Sequence, residues 1–251
     1  MTICNWTDLD LISQSGAFAM GTAVSVGSFD GLHLGHRFLL QTMIEQAQKK
    51  DLSPVVISFK RPLPAIKHSG DYTGDISTLA QRLRIFEQLG VEFVFVVDFD
   101  ESFASLKGAE FLSLLKQKLN MKLLAEGIDF RCGYKGATDT QAIKYWADQN
   151  GVEYTFVDPV YYTQADGMEE RVSSSYIRQM IQKGFFNLVT QLLNRPYELD
   201  IQSMREGESC IQVLPPDGLY HPQTDSAAIV ALEIKDGELV QLPECTYARF
   251  E

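Results

Sequence analysis

Five short apolar runs, each followed by a segment of helical periodicity, constrain this chain more than any other feature. Residues 22–26 (Thr-Ala-Val-Ser-Val), 54–59, 91–97, 122–125 and 152–157 read as buried strands. Between and after them, Leu39, Leu40, Met43, Ile44 and Ala47 recur at helical spacing within 37–49. A second helix starts at Thr78 and runs through Leu79, Leu83, Phe86 and Leu89 to Gly90. Phe111, Leu112, Leu115 and Leu119 form the stripe of a third, and 138–150 and 173–183 read as two more. Strands that alternate with helices imply an α/β fold, a doubly wound parallel sheet of Rossmann-like type covered on both faces.

The turn after the first of these runs is Gly27-Ser28-Phe29-Asp30-Gly31-Leu32-His33-Leu34-Gly35-His36. It joins a strand to a helix start, where unpaired N–H groups and a partial positive charge suit a phosphate. Gly31 and Gly35 are expected to remove side-chain bulk where an anion approaches the backbone. His33 and His36, three apart, are expected to face the same anion. No Gly-x-x-x-x-Gly-Lys-Ser/Thr stretch is present, so the phosphate loop of ATPases is excluded. In an open parallel sheet, ligands bind beyond the carboxyl ends of the strands. Two further stretches are expected there: residues 127–136, with Asp129, Arg131 and Lys135, and Ser173-Ser174-Ser175-Tyr176-Ile177-Arg178.

Composition narrows the partners. A formal net charge of −11 argues against nucleic acid, whose binding relies on clustered Lys and Arg. A small phosphate ligand remains compatible through a local cluster, for which Arg131, Lys135 and Arg178 are candidates. With 45% hydrophobic and 22% charged residues, and apolar runs as short as 91–97, nothing reads as a membrane span or a secretory leader. Cys4, Cys132, Cys210 and Cys245 show no Cys-x-x-Cys spacing and read as free thiols in a reducing cytoplasm.

The His33-Leu34-Gly35-His36 spacing resembles that of the HxGH nucleotidyltransferases. The longer stretch 27–36 is similar to the bacterial FAD synthetase family, which commonly has Asn where Ser28 stands. Val172-Ser173-Ser174-Ser175-Tyr176-Ile177-Arg178 resembles that family's Ser-Ser-Thr-x-Ile-Arg motif, with Ser175 in the threonine's place. Gly127-Ile128-Asp129-Phe130-Arg131-Cys132-Gly133 is similar to its Gly-Glu-Asp-Phe-Arg-Phe-Gly loop, with Ile128 for glutamate. Asn194-Arg195-Pro196-Tyr197 is like the Gly-Arg-Pro-Tyr that closes the module. Lys60-Arg61-Pro62-Leu63-Pro64 lacks the histidine of the Asp-Pro-His-Pro loop.

The resemblance implies transfer of AMP from ATP to FMN, with Mg²⁺ bridging the ATP phosphates. It implies His33, His36 and Arg178 as catalytic residues, and Gly27, Ser28, Phe29, Asp30, Gly31, Gly35, Asp129, Arg131, Ser174 and Ser175 as ATP- or FMN-binding ones, with no protein metal ligand. Residues 1–184 are then expected to form the transferase domain, 185–198 a helical linker and 199–251 a small β module. In that module 227–234 and 238–242 flank Lys235-Asp236-Gly237 as a hairpin, with 199–204 and 210–214 as further strands. In bifunctional members this region is a riboflavin kinase. Its Pro-Thr-Ala-Asn motif is absent here, so kinase activity is not expected. A flavin- or nucleotide-binding protein without catalysis and a transferase with another phosphorylated acceptor stay open as alternatives.

Overall fold

A computed structural model describes residues 1–62, 72–164, 167–207, 212–226 and 229–251. By its internal contacts the chain divides into two compact units. The first comprises Met1–Ser28, His36–Lys60 and Leu83–Pro159, and the second Phe29–Gly35, Arg61–Arg82 and Val160–Glu251.

The first unit is built on a six-stranded, wholly parallel sheet. Its strands are β1 (Thr2–Asn5), β2 (Thr22–Gly27), β3 (Ser53–Phe59), β4 (Phe93–Val97), β5 (Met121–Gly127) and β6 (Glu153–Val157), in the order β1-β4-β3-β2-β5-β6. The five strands read from the sequence form as expected. β1 is an addition: a four-residue segment, Thr-Ile-Cys-Asn, that pairs along the β4 edge. Val24, Val55, Val56, Ile57, Val94 and Phe95 are wholly buried, as apolar runs without alternation require. The helix Gly108–Lys118 packs on β5 and Thr140–Asn150 on β6. The latter starts where the Asp139 carboxylate accepts the Ala142 N–H at 3.0 Å, and stops at Gly151, whose φ of 63° gives it a left-handed cap.

Chain order reverses across β2: β3 lies on one side and β5 on the other, which makes the β2/β5 boundary the topological switch point. Backbone pairing between these two strands shifts register after Thr22 and ends at Val24↔Leu124. Beyond it, the Val26 N–H donates to the side chain of Glu126 at 2.6 Å. A carboxyl group therefore replaces the strand ladder at the carboxyl end of the switch point.

The second unit has its own core, in which Ile177, Ile181, Val189, Leu192, Leu193, Leu199, Ile201 and Ala248 are fully buried. Its longer helices after Val160 are Ser174–Gln182 and Phe186–Leu193, the latter within the expected linker. Three-stranded sheets are formed by Tyr197–Asp200, Gln223–Thr224 and Tyr247–Phe250, and by Gly218–Tyr220, Leu232–Lys235 and Glu238–Leu239. The expected hairpin turns at Asp236 and Gly237, with φ of 54° and 75°.

Two readings need correction. Residues 201–205 form a short helix, Ile201–Arg205, because the Asp200 carboxylate accepts the Ser203 N–H at 3.0 Å and caps it. Between β6 and the helix Ser174–Gln182 stands an unforeseen hairpin, Tyr161–Thr163 with Glu169–Arg171. Of the stretch 60–64 compared with the Asp-Pro-His-Pro loop, Leu63 and Pro64 lie outside the described residues, as do Cys210 and 227–228. Among the described residues, no helix is long and apolar enough to cross a membrane.

Candidate functional site

The helix expected from 37 begins earlier, at Leu34, so the motif itself supplies the first turn. Phe29 takes a left-handed conformation (φ 48°, ψ 32°), followed by the short 3-10 turn Asp30–Leu32, and His33 is extended (φ −65°, ψ 175°) before the helix starts. His36 falls in the helix's first turn and is partly buried. The glycines have reasons of their own. Gly31 has φ 77°, and a Cβ there would stand 2.9 Å from Ile76 Cγ2. At Gly35 a Cβ would stand 3.3 Å from the His33 ring. Backbone conformation and the Ile76 contact thus require Gly31 before any ligand does, while Gly35 lets the His33 ring pack close to the chain.

Within the second unit the turn is held by a buried polar network. The Asp30 carboxylate, 2% exposed, accepts the N–H of Ile76 at 2.9 Å and of Ser77 at 3.0 Å, and pairs with Arg178 Nη2. Arg178 Nε donates to the Gly74 carbonyl at 2.8 Å, and the guanidinium lies 5.0 Å from the Tyr72 ring centre. Tyr72 in turn donates its hydroxyl to Asp75. The Gly31 N–H donates to Ser77 Oγ at 2.8 Å, and the Gly31 carbonyl accepts from Arg195 Nη2 at 2.8 Å. Burial raises the Asp30 pKa above the usual carboxylate value, and the Arg178 charge works against that rise.

His33 is 6% exposed, and its pKa is lowered to about 4, first by burial and then by the charges of Arg171, Arg195 and Arg178. The imidazole is neutral at pH 7 and surrounded by positive charge. The serine run divides its work. Ser173 caps the helix by accepting the Tyr176 N–H at 3.2 Å, Ser174 Oγ donates to the Asp30 carbonyl at 3.0 Å, and Ser175 is exposed. Arg178 was expected to reach for phosphates. Nε and Nη2 are engaged with the protein, while Nη1 has no partner among the described residues.

Of the expected cationic cluster, Arg178 alone is part of this network; Arg171 and Arg195 supply the rest of the charge around His33. Arg195 stands in the Asn-Arg-Pro-Tyr stretch, so its sequence signal was present. Arg171 ends the unforeseen hairpin and had none.

In the first unit, Gly27 ends β2 and Ser28 follows it, both partly exposed. Asp129 and Arg131 are exposed in the loop after β5. Arg131 Nε donates to the Gly136 carbonyl at 2.8 Å, and Lys135 stands over the Tyr134 ring. Glu126, which sequence reasoning passed over, is fully buried, and its pKa is driven well above the ordinary glutamate value by burial, against the Val26 N–H bond. The Cys132 thiol is pushed up to about 12, by burial first and by Glu126 second, so it is no nucleophile at neutral pH.

Residues 16–176 match the family model described as FAD synthetase. The chain belongs to the FAD synthetase family. The bifunctional riboflavin kinase/FMN adenylyltransferase of Escherichia coli (strain K12) is 34% identical over 181 residues, 71% of this chain and 56% of that protein. The protein of the same description from Bacillus subtilis (strain 168) is 28% identical over 214 residues, 79% of this chain and 66% of that protein. The chain thus spans little more than half the length of the Escherichia coli relative. A crystal structure titled macrolide-efflux protein, from Streptococcus pneumoniae, superposes with a TM-score of 0.67 at 24% identity, covering 91% of this chain and 83% of that one. That last likeness shows the fold alone. The His33 turn and the stretch 173–176 both lie within the matched residues.

Proposed function

We propose that this chain transfers AMP from ATP to FMN, forming FAD and pyrophosphate. The observation that carries the reading is the buried His33 in a turn whose Asp30 pairs with Arg178 and whose Gly31 carbonyl accepts from Arg195, in a chain that matches the FAD synthetase family over 16–176. An oxygen of the FMN phosphate attacks the α-phosphorus of ATP. The new P–O bond forms as the bond to the β-phosphate bridging oxygen breaks, and pyrophosphate leaves with the bonding pair. The attacking oxygen is already anionic, so no protein nucleophile or base is required. What the reaction asks of the protein is alignment and charge stabilisation.

His33 and His36 are the residues that the resemblance assigns to stabilising the α-phosphate as charge builds there. The arginines around His33 draw in the triphosphate, and Arg178 contributes its Nη1 while Asp30 fixes the rest of its fork. Ser174 and Ser175 flank the phosphate tail. Gly27, Ser28, Phe29, Asp30, Gly31, Gly35, Asp129 and Arg131 are the remaining ATP- or FMN-binding residues that the family resemblance implies. ATP enters as its Mg²⁺ complex, the ion held by phosphates and water. Asp30, whose oxygens are taken by Arg178, Ile76 and Ser77, is unsuited as a metal ligand.

The chain has no Pro-Thr-Ala-Asn stretch, which supports the further reading that it does not phosphorylate riboflavin. The free thiols of Cys4, Cys132 and Cys245 suit a reducing cytoplasm. Incubation with ATP, Mg²⁺ and FMN, followed by chromatographic separation of flavins, tests the reading. The parent makes FAD, and His36→Ala, still folded, makes it about 100- to 1,000-fold more slowly. Equal rates remove His36 from the mechanism. FAD formation by neither protein removes the reaction.

A further inference from the structure

The polar network around Asp30 continues into the C-terminal part of the second unit through one fully buried side chain. Gln212, 1% exposed, accepts the Asp200 N–H on Oε1 at 2.7 Å. Its Nε2 lies 3.1 Å from the Ile76 carbonyl, 3.1 Å from Gln81 Oε1 and 3.0 Å from the Glu198 carbonyl. Every polar atom of the amide is engaged. Beside it, the Val213 N–H donates to the Asp75 carbonyl at 2.9 Å, and Thr78 Oγ1 donates to Asp200 at 2.8 Å.

Residues 75–78 are thereby gripped on two sides. Their carbonyls at Asp75 and Ile76 are held by Val213 and Gln212, while their amides at Ile76 and Ser77 hold the Asp30 carboxylate. The Ser77 hydroxyl takes the Gly31 N–H, two residues before His33. A continuous run of hydrogen bonds thus links Gln212 to the His33 turn. Losing the Gln212 donors would take the partner from the buried Ile76 carbonyl and free the segment to shift, whereas Gln81 Oε1 and the Glu198 carbonyl keep the Thr78 N–H and Gln81 Nε2 as donors.

We propose that Gln212 is a positioning residue for the His33 turn, acting through Ile76, Ser77 and Asp30. The C-terminal β segment then serves the transfer reaction as a brace. The proposal rests on the reading of that turn as the reacting site. It also makes a claim that holds without turnover: the surroundings of His33 depend on Gln212. Displacements of about 1 Å remote from the chemistry cost on the order of 100-fold in rate, so a detectable loss of turnover is expected.

Gln212→Glu keeps the shape and the Asp200 contact while removing the donors. Thr78→Val removes the second link more gently. Each variant is checked for folding by thermal denaturation, then assayed for FAD formation, and its His33 imidazole is titrated by NMR. The account expects kcat to fall at least about tenfold in Gln212→Glu, with KM for FMN within about twofold. It also expects the His33 pKa to rise from about 4 toward its ordinary value in both variants, as water reaches a loosened turn. Folded variants that keep both the parent kcat and the parent His33 titration overturn the proposal. Should Gln212→Glu not fold, the titration in Thr78→Val decides by the same criterion. Should the parent make no FAD, the proposed function fails, while the His33 titrations still confirm or overturn the brace.

Discussion

His33 sits neutral among three arginines, and its lowered pKa makes the chain's stability depend on pH in a stated direction. Between pH 6.5 and about 4, the unfolded chain binds a proton on this histidine and the native chain does not. Stability therefore falls as pH falls through that window, by up to about 3 kcal/mol from this group. In His33→Gln that part of the slope is absent, which urea denaturation at pH 7 and pH 5 would reveal; an unchanged difference between the two pH values contradicts the burial of His33. Arg178 and Asp30 make a second residue-scale claim. Arg178→Met leaves a buried carboxylate without its partner and costs about 3–5 kcal/mol. Adding Asp30→Asn to it returns part of that loss, because the uncompensated charge is gone. Additive losses in the double-mutant cycle would show that the two groups do not interact.

Among the elements, the switch point between β2 and β5 holds an unusual bond, the Val26 N–H on a Glu126 carboxyl where strand pairing has stopped. Because burial raises this acid's pKa, the unfolded chain loses the proton first as pH rises above 4.5. Stability then falls with rising pH until the native group ionises too, opposite in sense to His33. Glu126→Gln keeps an acceptor for Val26 and has nothing to ionise. It is expected to be more stable than the parent at pH 8, measured by thermal melting, and a lower melting temperature contradicts the assignment. The four inner strands were legible in sequence because apolar runs buried on both faces leave little choice, and the β6 edge strand because its Val-rich, aromatic run stands between a helix and a loop. The Thr2–Asn5 edge strand was not, being too short and too polar to stand out from a terminus. Leu199-Asp200-Ile201-Gln202 alternates apolar and polar residues as a strand does, but the Asp200 cap turns the chain into a helix from Ile201. The motif residues of the His33 turn were likewise plain in sequence. Their partners were not: Asp30 meets Arg178 across 148 positions, and Gln212 meets Ile76 across 136. No local pattern encodes such pairs.

At the scale of the whole molecule, an acidic chain with a formal charge of −11 keeps arginines where a small anion could use them, around His33. The same unit carries a C-terminal β segment that lacks the Pro-Thr-Ala-Asn motif, yet it donates Gln212 and Val213 to the residues that hold Asp30. Family membership rests on 16–176, and the reaction proposed for the chain is adenylyl transfer to FMN. The most direct measurement follows the transferred group itself, using ATP labelled with ³²P at the α-phosphate, with Mg²⁺ and FMN. The account predicts that label enters FAD in step with release of unlabelled pyrophosphate. Label that stays in ATP, or appears only as free AMP while FMN is unchanged, would contradict it.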